Sequence, residues 1–79
     1  MSLPYAPSRA RDRALALVVD LNTAHYTREP ETVVLGRHGV NYINDSDQRW
    51  PKGWSVGDGW AVYFDQALRL YRVAVPEAA

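Results

Sequence analysis

Residues 50–60 read Trp-Pro-Lys-Gly-Trp-Ser-Val-Gly-Asp-Gly-Trp, and they narrow the folds open to this chain more than any other stretch. All three tryptophans of the protein sit there, among three glycines and a proline. Glycine and proline both disfavour helix interiors, so the segment reads as an ordered loop. Each indole brings about 150–250 Å² of largely apolar surface. At roughly 25 cal/mol per Å², leaving one in water forgoes about 4–6 kcal/mol. These rings must therefore pack, either on the chain's own core or on a partner.

The 79 residues hold one core and no second domain. A single α+β domain over residues 1–79 is expected, with 1–7 and 76–79 frayed. The hydrophobic fraction is 47 % and the mean hydropathy is -0.36, values of a globular chain rather than a membrane-embedded one. The longest apolar run, residues 14–19, falls well short of the eighteen or so that a spanning helix needs. Met1-Ser2-Leu3-Pro4 lacks a charged region followed by an apolar core, so no secretion signal is expected. Zero cysteines exclude disulfides and thiolate metal sites, and they fit a cytoplasmic setting. A chain this short without staples is near the lower limit for independent stability, and a homodimer or a bound partner is one remedy.

Nine basic and nine acidic residues give zero net charge, and eight of the nine basic ones are arginine. Arginine offers a planar fork of donors and stacks on rings. Together with Trp and Tyr it is over-represented at binding hot spots. A high-GC genome accounts for the arginines equally well. Neutrality argues against an acidic DNA mimic and against a strongly basic nucleic-acid binder.

Residues 8–24 read as a helix. Ser8 is the N-cap, with Asp12 as an alternative. Ala10, Ala14, Leu17, Val18, Leu21 and Ala24 gather on one face at 100° per residue, while Leu15 and Val19 form a small second strip. Thr27-Arg28-Glu29-Pro30 then breaks the helix. Strands are expected at 32–35 and 40–43 around Gly36-Arg37-His38-Gly39, and at 60–64 and 68–75 around Asp65-Gln66-Ala67. A short helix near residues 67–71 is the alternative for the last of these. The expected fold is thus one N-terminal helix packed on a four-stranded antiparallel sheet of two hairpins. Apolar residues occupy both parities of these strands, whereas one helix covers a single face. A second, exposed apolar face is therefore expected, marking an interaction site, unless a small barrel closes or the Trp50 to Gly59 segment folds back as a lid.

Catalytic patterns fail one by one. Ser8, Ser46 and Ser55 lack a Gly-x-Ser-x-Gly frame. Asp45-Ser46-Asp47 opens like a calcium loop, yet Arg49 and Val56 stand where ligands belong and Trp50 where the glycine belongs. Gly53, Gly57 and Gly59 lack the Lys-Ser/Thr of a phosphate loop. His25 reads as a cap at the helix C-terminus, and His38 as a solvated turn residue. No catalytic residue, metal ligand or cofactor is assigned. Arg9, Arg11 and Arg13 crowd the first turns of the helix, where the dipole disfavours cations, which suits an external acidic surface. The expected partner contacts are Trp50, Trp54, Arg49 and Tyr63, with Arg9, Arg11 and Arg13 as a second patch and Trp60 in the core.

In size, in lacking a recognisable catalytic motif and in its interface-rich composition, the chain resembles the small cysteine-free inhibitors that phages and mobile elements direct against bacterial defence. Anti-CRISPR proteins are among them. The resemblance implies a non-enzymatic protein-binding module that occludes a CRISPR effector subunit. No motif defines that class, so no residue role is carried over. A single-stranded nucleic-acid binder using the sheet and loop aromatics with arginine is the alternative.

Overall fold

The computed structural model describes residues 8–77; of the segments expected to fray, 1–7 and 78–79 lie outside them. Ser8 is the N-cap of helix α1, Arg9–Thr27, its hydroxyl accepting from the Arg11 amide at 3.1 Å. Ala10, Ala14, Leu17, Leu21 and Ala24 form the buried stripe. Val18 is packed at the edge of that stripe, partly buried. The helix runs past the expected Ala24 and ends where Arg28 turns left-handed, returning its amide to the Ala24 carbonyl.

The expected strand at 32–35 is instead part of helix α2, Glu31–Arg37. Pro30 sets its start at φ -60, and the Pro30 carbonyl accepts from the amides of Val33 and Val34. Val34 and Leu35 are buried against α1. That burial outweighs the β preference of a Thr-Val-Val run, which is worth only a few tenths of a kcal/mol per residue. Residues 40–43 form no strand either. Asn41 Oδ1 accepts from the amides of Ile43 and Asn44, and the Asp45 carboxylate accepts from the Asn41 amide at 2.7 Å. These side chains supply the backbone with turn partners in place of a ladder.

The sheet has three antiparallel strands rather than four, in the order β1 (Gly53–Gly57), β2 (Trp60–Asp65), β3 (Leu70–Ala74). The tryptophan-rich segment is therefore largely strand. Its turn is Asp58-Gly59, both at positive φ (52 and 82), the backbone of a tight two-residue hairpin. The β2–β3 hairpin occurs as expected, although Leu68 belongs to the turn. There the Asp65 carboxylate accepts from the amides of Ala67 and Leu68 at 3.0 Å each. Pro76, within the segment expected to fray, lies against Gly59.

Opposed residues in the register share a face. Trp54, Val56, Trp60, Val62, Phe64, Tyr71 and Val73 lie on the face under α1, as core or packed on it. The other face carries Gly53, Ser55, Ala61, Tyr63, Asp65, Leu70, Arg72 and Ala74, mostly small or polar. The expected second apolar face is thus corrected. Its premise failed when residues 32–43 turned out to be helix and turn. Both sheet edges have cover. The 45–47 segment bonds β1, through Asp47 N–H to the Gly53 carbonyl and Ser55 N–H to the Asp45 carbonyl, each 2.8 Å. On β3, Asn22 of α1 accepts from the Tyr71 amide (2.7 Å) and donates to its carbonyl (3.1 Å). Among the described residues, no helix is long and apolar enough to cross a membrane.

A polar clamp joins the two helices. The Asp20 carboxylate meets His38 Nε2 at 2.8 Å and Arg37 Nη1 at 2.9 Å, and Arg37 also pairs with Glu29. His38, expected as a solvated turn residue, is held in this clamp. Its hydrogen bond, with that of Arg37, holds the Asp20 carboxyl below its ordinary value of 3.8. A depressed folded-state pKa stabilises the fold above the ordinary carboxylate range, and this is lost as pH falls through the folded value. Asp20→Asn should therefore be less stable at neutral pH and lose less stability than the parent below about pH 4, read as urea midpoints against pH.

Trp54 is 2 % exposed and its Nε1–H donates to the Tyr42 carbonyl at 3.1 Å. Trp54→Ala should cost about 3–5 kcal/mol in urea unfolding, enough to unfold much of a domain this small. A loss below about 1 kcal/mol would contradict the packing described.

Candidate functional site

Three of the residues expected to contact a partner come together on the outer face of the sheet. Asp47 begins the arrangement by accepting three hydrogen bonds from Arg49: backbone N–H at 3.1 Å, Nε–H at 3.0 Å and Nη2–H at 2.7 Å. This two-pronged side-chain pairing fixes the guanidinium plane. Hydrogen bonding to Arg49 holds the Asp47 carboxyl below its ordinary range, and Asp47 raises the guanidinium in return. The Arg49 Cζ then stands 4.4 Å from the centroid of the Trp50 ring. Trp50 in turn stacks on Tyr63 of β2, with centroids 4.5 Å apart and planes 11° from parallel.

Gly53 makes room for this stack. It is opposite Tyr63 in the β1–β2 register, and a Cβ there would lie 3.0 Å from Trp50 Cε3 and 3.2 Å from Tyr63 Cβ. A hollow of about 290 Å³ adjoins the stack, walled by Tyr42, Asp47, Trp50 and Lys52, with Gly53 and Trp54 beneath. Beside Tyr42, Ile43 is 76 % exposed. Arg49, Trp50 and Tyr63 thus form an ordered guanidinium–indole–phenol column, with Tyr42 across the adjoining hollow.

The remaining expected contacts lie elsewhere. Trp54 points to the opposite face and is buried in this chain, so the reading of it as a partner contact is corrected: its strand parity places it in the core. Arg13 is engaged within the fold, donating to the carbonyls of Val56 and His38 at 3.2 Å each. Arg9 and Arg11 sit at the start of α1, near the β1–β2 turn, where Ala10 lies 3.8 Å from a Cβ placed on Gly57. They are separated from the column by the length of β1. Trp60 is in the core as expected, at 7 % exposure.

The expected partner contacts did not include Tyr42 or Asp47, which both border the hollow. Asp47 was legible in principle, since an Asp two residues before an Arg can accept both its amide and its guanidinium. Tyr42 and Ile43 were assigned to a strand, which concealed their place on a loop tip. No family model, curated protein or solved structure matches this chain.

Gly53→Ala should break the column while leaving α1 formed. The expected result is a loss of about 1–3 kcal/mol, with loss of the near-ultraviolet circular dichroism of the Trp50–Tyr63 pair and retention of the helical far-ultraviolet signal.

Proposed function

We propose that this chain is a small non-enzymatic protein-binding module that docks through the Arg49–Trp50–Tyr63 column and Tyr42 across the adjoining hollow. The observation that carries this reading is the column itself. It consists of the three side-chain types that most often anchor interfaces, and Asp47 and Gly53 hold it in place within the free chain. Order present before binding lowers the entropy cost of forming an interface. Tyr42 (44 % exposed) adds apolar area across the hollow that it lines together with Trp50. Because the chain carries no net charge, ring and guanidinium contacts rather than broad electrostatic attraction would hold the partner.

The finer form of the proposal is inhibition by occlusion, with a CRISPR effector subunit as the target that the class resemblance implies. Arg9 and Arg11 are a separate, second patch in this reading. For single-stranded nucleic acid the column is less suited. Tyr63 and Arg49 already contact the Trp50 ring, which leaves less open π-surface for a base than an uncovered sheet aromatic.

Trp50→Ala removes a half-buried ring while sparing the Trp54 core. Affinity for a partner protein captured by the parent chain should fall about 30-fold or more, near 2 kcal/mol, with only a small change in thermal midpoint. Unchanged affinity would reject the column as the docking site. Tight binding to an oligothymidine strand that weakens steeply as salt rises would transfer the assignment to nucleic acid.

A further inference from the structure

The outer edge of β3 is closed by α1 at one residue and open beyond it. Residues of an antiparallel edge strand alternate between bonding the neighbouring strand and turning their backbone groups outward. The Phe64 amide donates to the Lys52 carbonyl on the β1 side, so Phe64, and Val62 two residues before it, do not bond β3. The residues opposite them, Tyr71 and Val73, therefore turn N–H and C=O away from the sheet. Asn22 takes both groups of Tyr71. Among the described residues nothing bonds those of Val73. The extended run continues past it. Pro76 lies against Gly59, the pairing reached by carrying the β2–β3 register on from Ala61 and Ala74, which puts the outward groups of Val75 on the same edge. Pro76 shares the parity of Ala74, so its missing N–H falls on the β2 side and leaves this edge intact.

The side chains beside this edge are apolar. Val73 packs partly buried on the core, and Val75 is 45 % exposed on the same face. On α1, Leu15, Val18 and Val19 precede Asn22 by seven, four and three residues, so they share the flank from which it reaches β3. Leu15 and Val19 are exposed there. Arg72 points to the other face of the sheet and is paired with Asp65 at 3.4 Å. Natural edges usually carry a lysine, an inward charge or a bulge that turns other strands away. Val73-Ala74-Val75 carries none of these. The occupant of such an edge must be extended, with apolar side chains at alternate positions and a small residue between them. Val73-Ala74-Val75 is itself such a segment. An antiparallel pair has two-fold symmetry, so the edge can bond a copy of itself. With no net charge on the chain, two copies meet without net repulsion.

We propose that this chain forms a two-fold dimer in which two β3 edges pair about Ala74, joining the two sheets into one. Val73 and Val75 exchange N–H···O bonds with Val75 and Val73 of the second copy, and the valines of both copies meet on the helix-bearing face. Asn22 sets that register. Pairing centred on Val73 would set Val75 of the second copy against Tyr71, whose backbone groups Asn22 already holds. The dimer does not use the Arg49–Trp50–Tyr63 column and holds or fails independently of it.

Sedimentation equilibrium of the full chain should show a monomer–dimer equilibrium at concentrations up to about 1 mM. Val75→Lys should weaken it about 30-fold or more, with little change in the thermal midpoint of the dilute chain. Trp50→Ala should leave it unchanged. The chain has no cysteine, so Ala74→Cys introduces a single thiol. That thiol would face its own copy across a non-hydrogen-bonded pair with Cα atoms about 4.5 Å apart, a spacing a disulfide spans. Mild oxidation should therefore give a covalent dimer with Ala74→Cys and not with Arg72→Cys. A chain monomeric up to about 1 mM, or parent-like dimerisation in Val75→Lys, overturns the proposal. So does loss of the dimer in Trp50→Ala, which would move the contact to the column. Equal cross-linking by Arg72→Cys overturns the register given to Asn22. A monomer whose Val73 amide gains exchange protection only with a captured partner protein hands the edge to that partner and overturns the dimer.

Discussion

The indole of Trp54 is the point from which the rest of the structure is organised. A buried tryptophan brings a large apolar payload and one N–H that must find an acceptor. Here the acceptor is the Tyr42 carbonyl, which lies on a different segment. To deliver that carbonyl, residues 41–47 have to fold across the outer edge of β1. Once there, they supply the bonds at Asp45 and Asp47 that close the edge, and Ser46 forms a single bridge with Trp54. Tyr42 and Tyr71 pack their rings near the same indole, at 5.7 and 6.4 Å. Loop and sheet are thus tied through one side chain.

The three tryptophans show how environment divides one residue type into different roles. Trp54 and Trp60 share the inward face of the sheet and serve as core. Trp50 precedes β1 and lies over the opposite face, where Gly53 leaves a bare patch of backbone for it. Its ring is stabilised by Tyr63 and Arg49 rather than by immersion in the core. A half-buried aromatic that is already ordered is a good anchor, because little freedom remains to be lost on binding. At the α1–α2 junction carboxylates are satisfied internally: Asp20 and Glu29 share Arg37, and Glu31 takes the Tyr71 hydroxyl and Lys52.

Legibility in the sequence followed the range of the forces involved. The buried stripe of α1 and the Ser8 cap were readable because a helix is set by residues three and four apart. The β2–β3 hairpin was readable from its alternation and from the Asp65 turn. Asp58-Gly59 is among the strongest short hairpin signals, yet the glycines and tryptophans around it read as loop, which hid β1. Thr32-Val33-Val34-Leu35 misled in the opposite sense. Its β-branched run favours a strand locally, but Pro30 starts a helix and α1 offers Val34 and Leu35 a place to be buried. Of the site, the identities of Arg49, Trp50 and Tyr63 were visible, whereas the inward orientation of Trp54 and the place of Tyr42 across the hollow from Trp50 were not.

The amino-acid order alone determined that this would be a small α+β domain with a capped N-terminal helix, a terminal hairpin and indoles that had to be covered. Those properties come from caps, periodicity and composition, which act within a turn or two of chain. Which indole went inside, which face of the sheet stayed polar, and which partners the carboxylates took were decided only in three dimensions. Such outcomes depend on strand register and on contacts such as Asn22 with Tyr71 or Glu31 with Tyr71, made between residues 49 and 40 positions apart. No local pattern encodes them, because each exists only once distant segments have packed together.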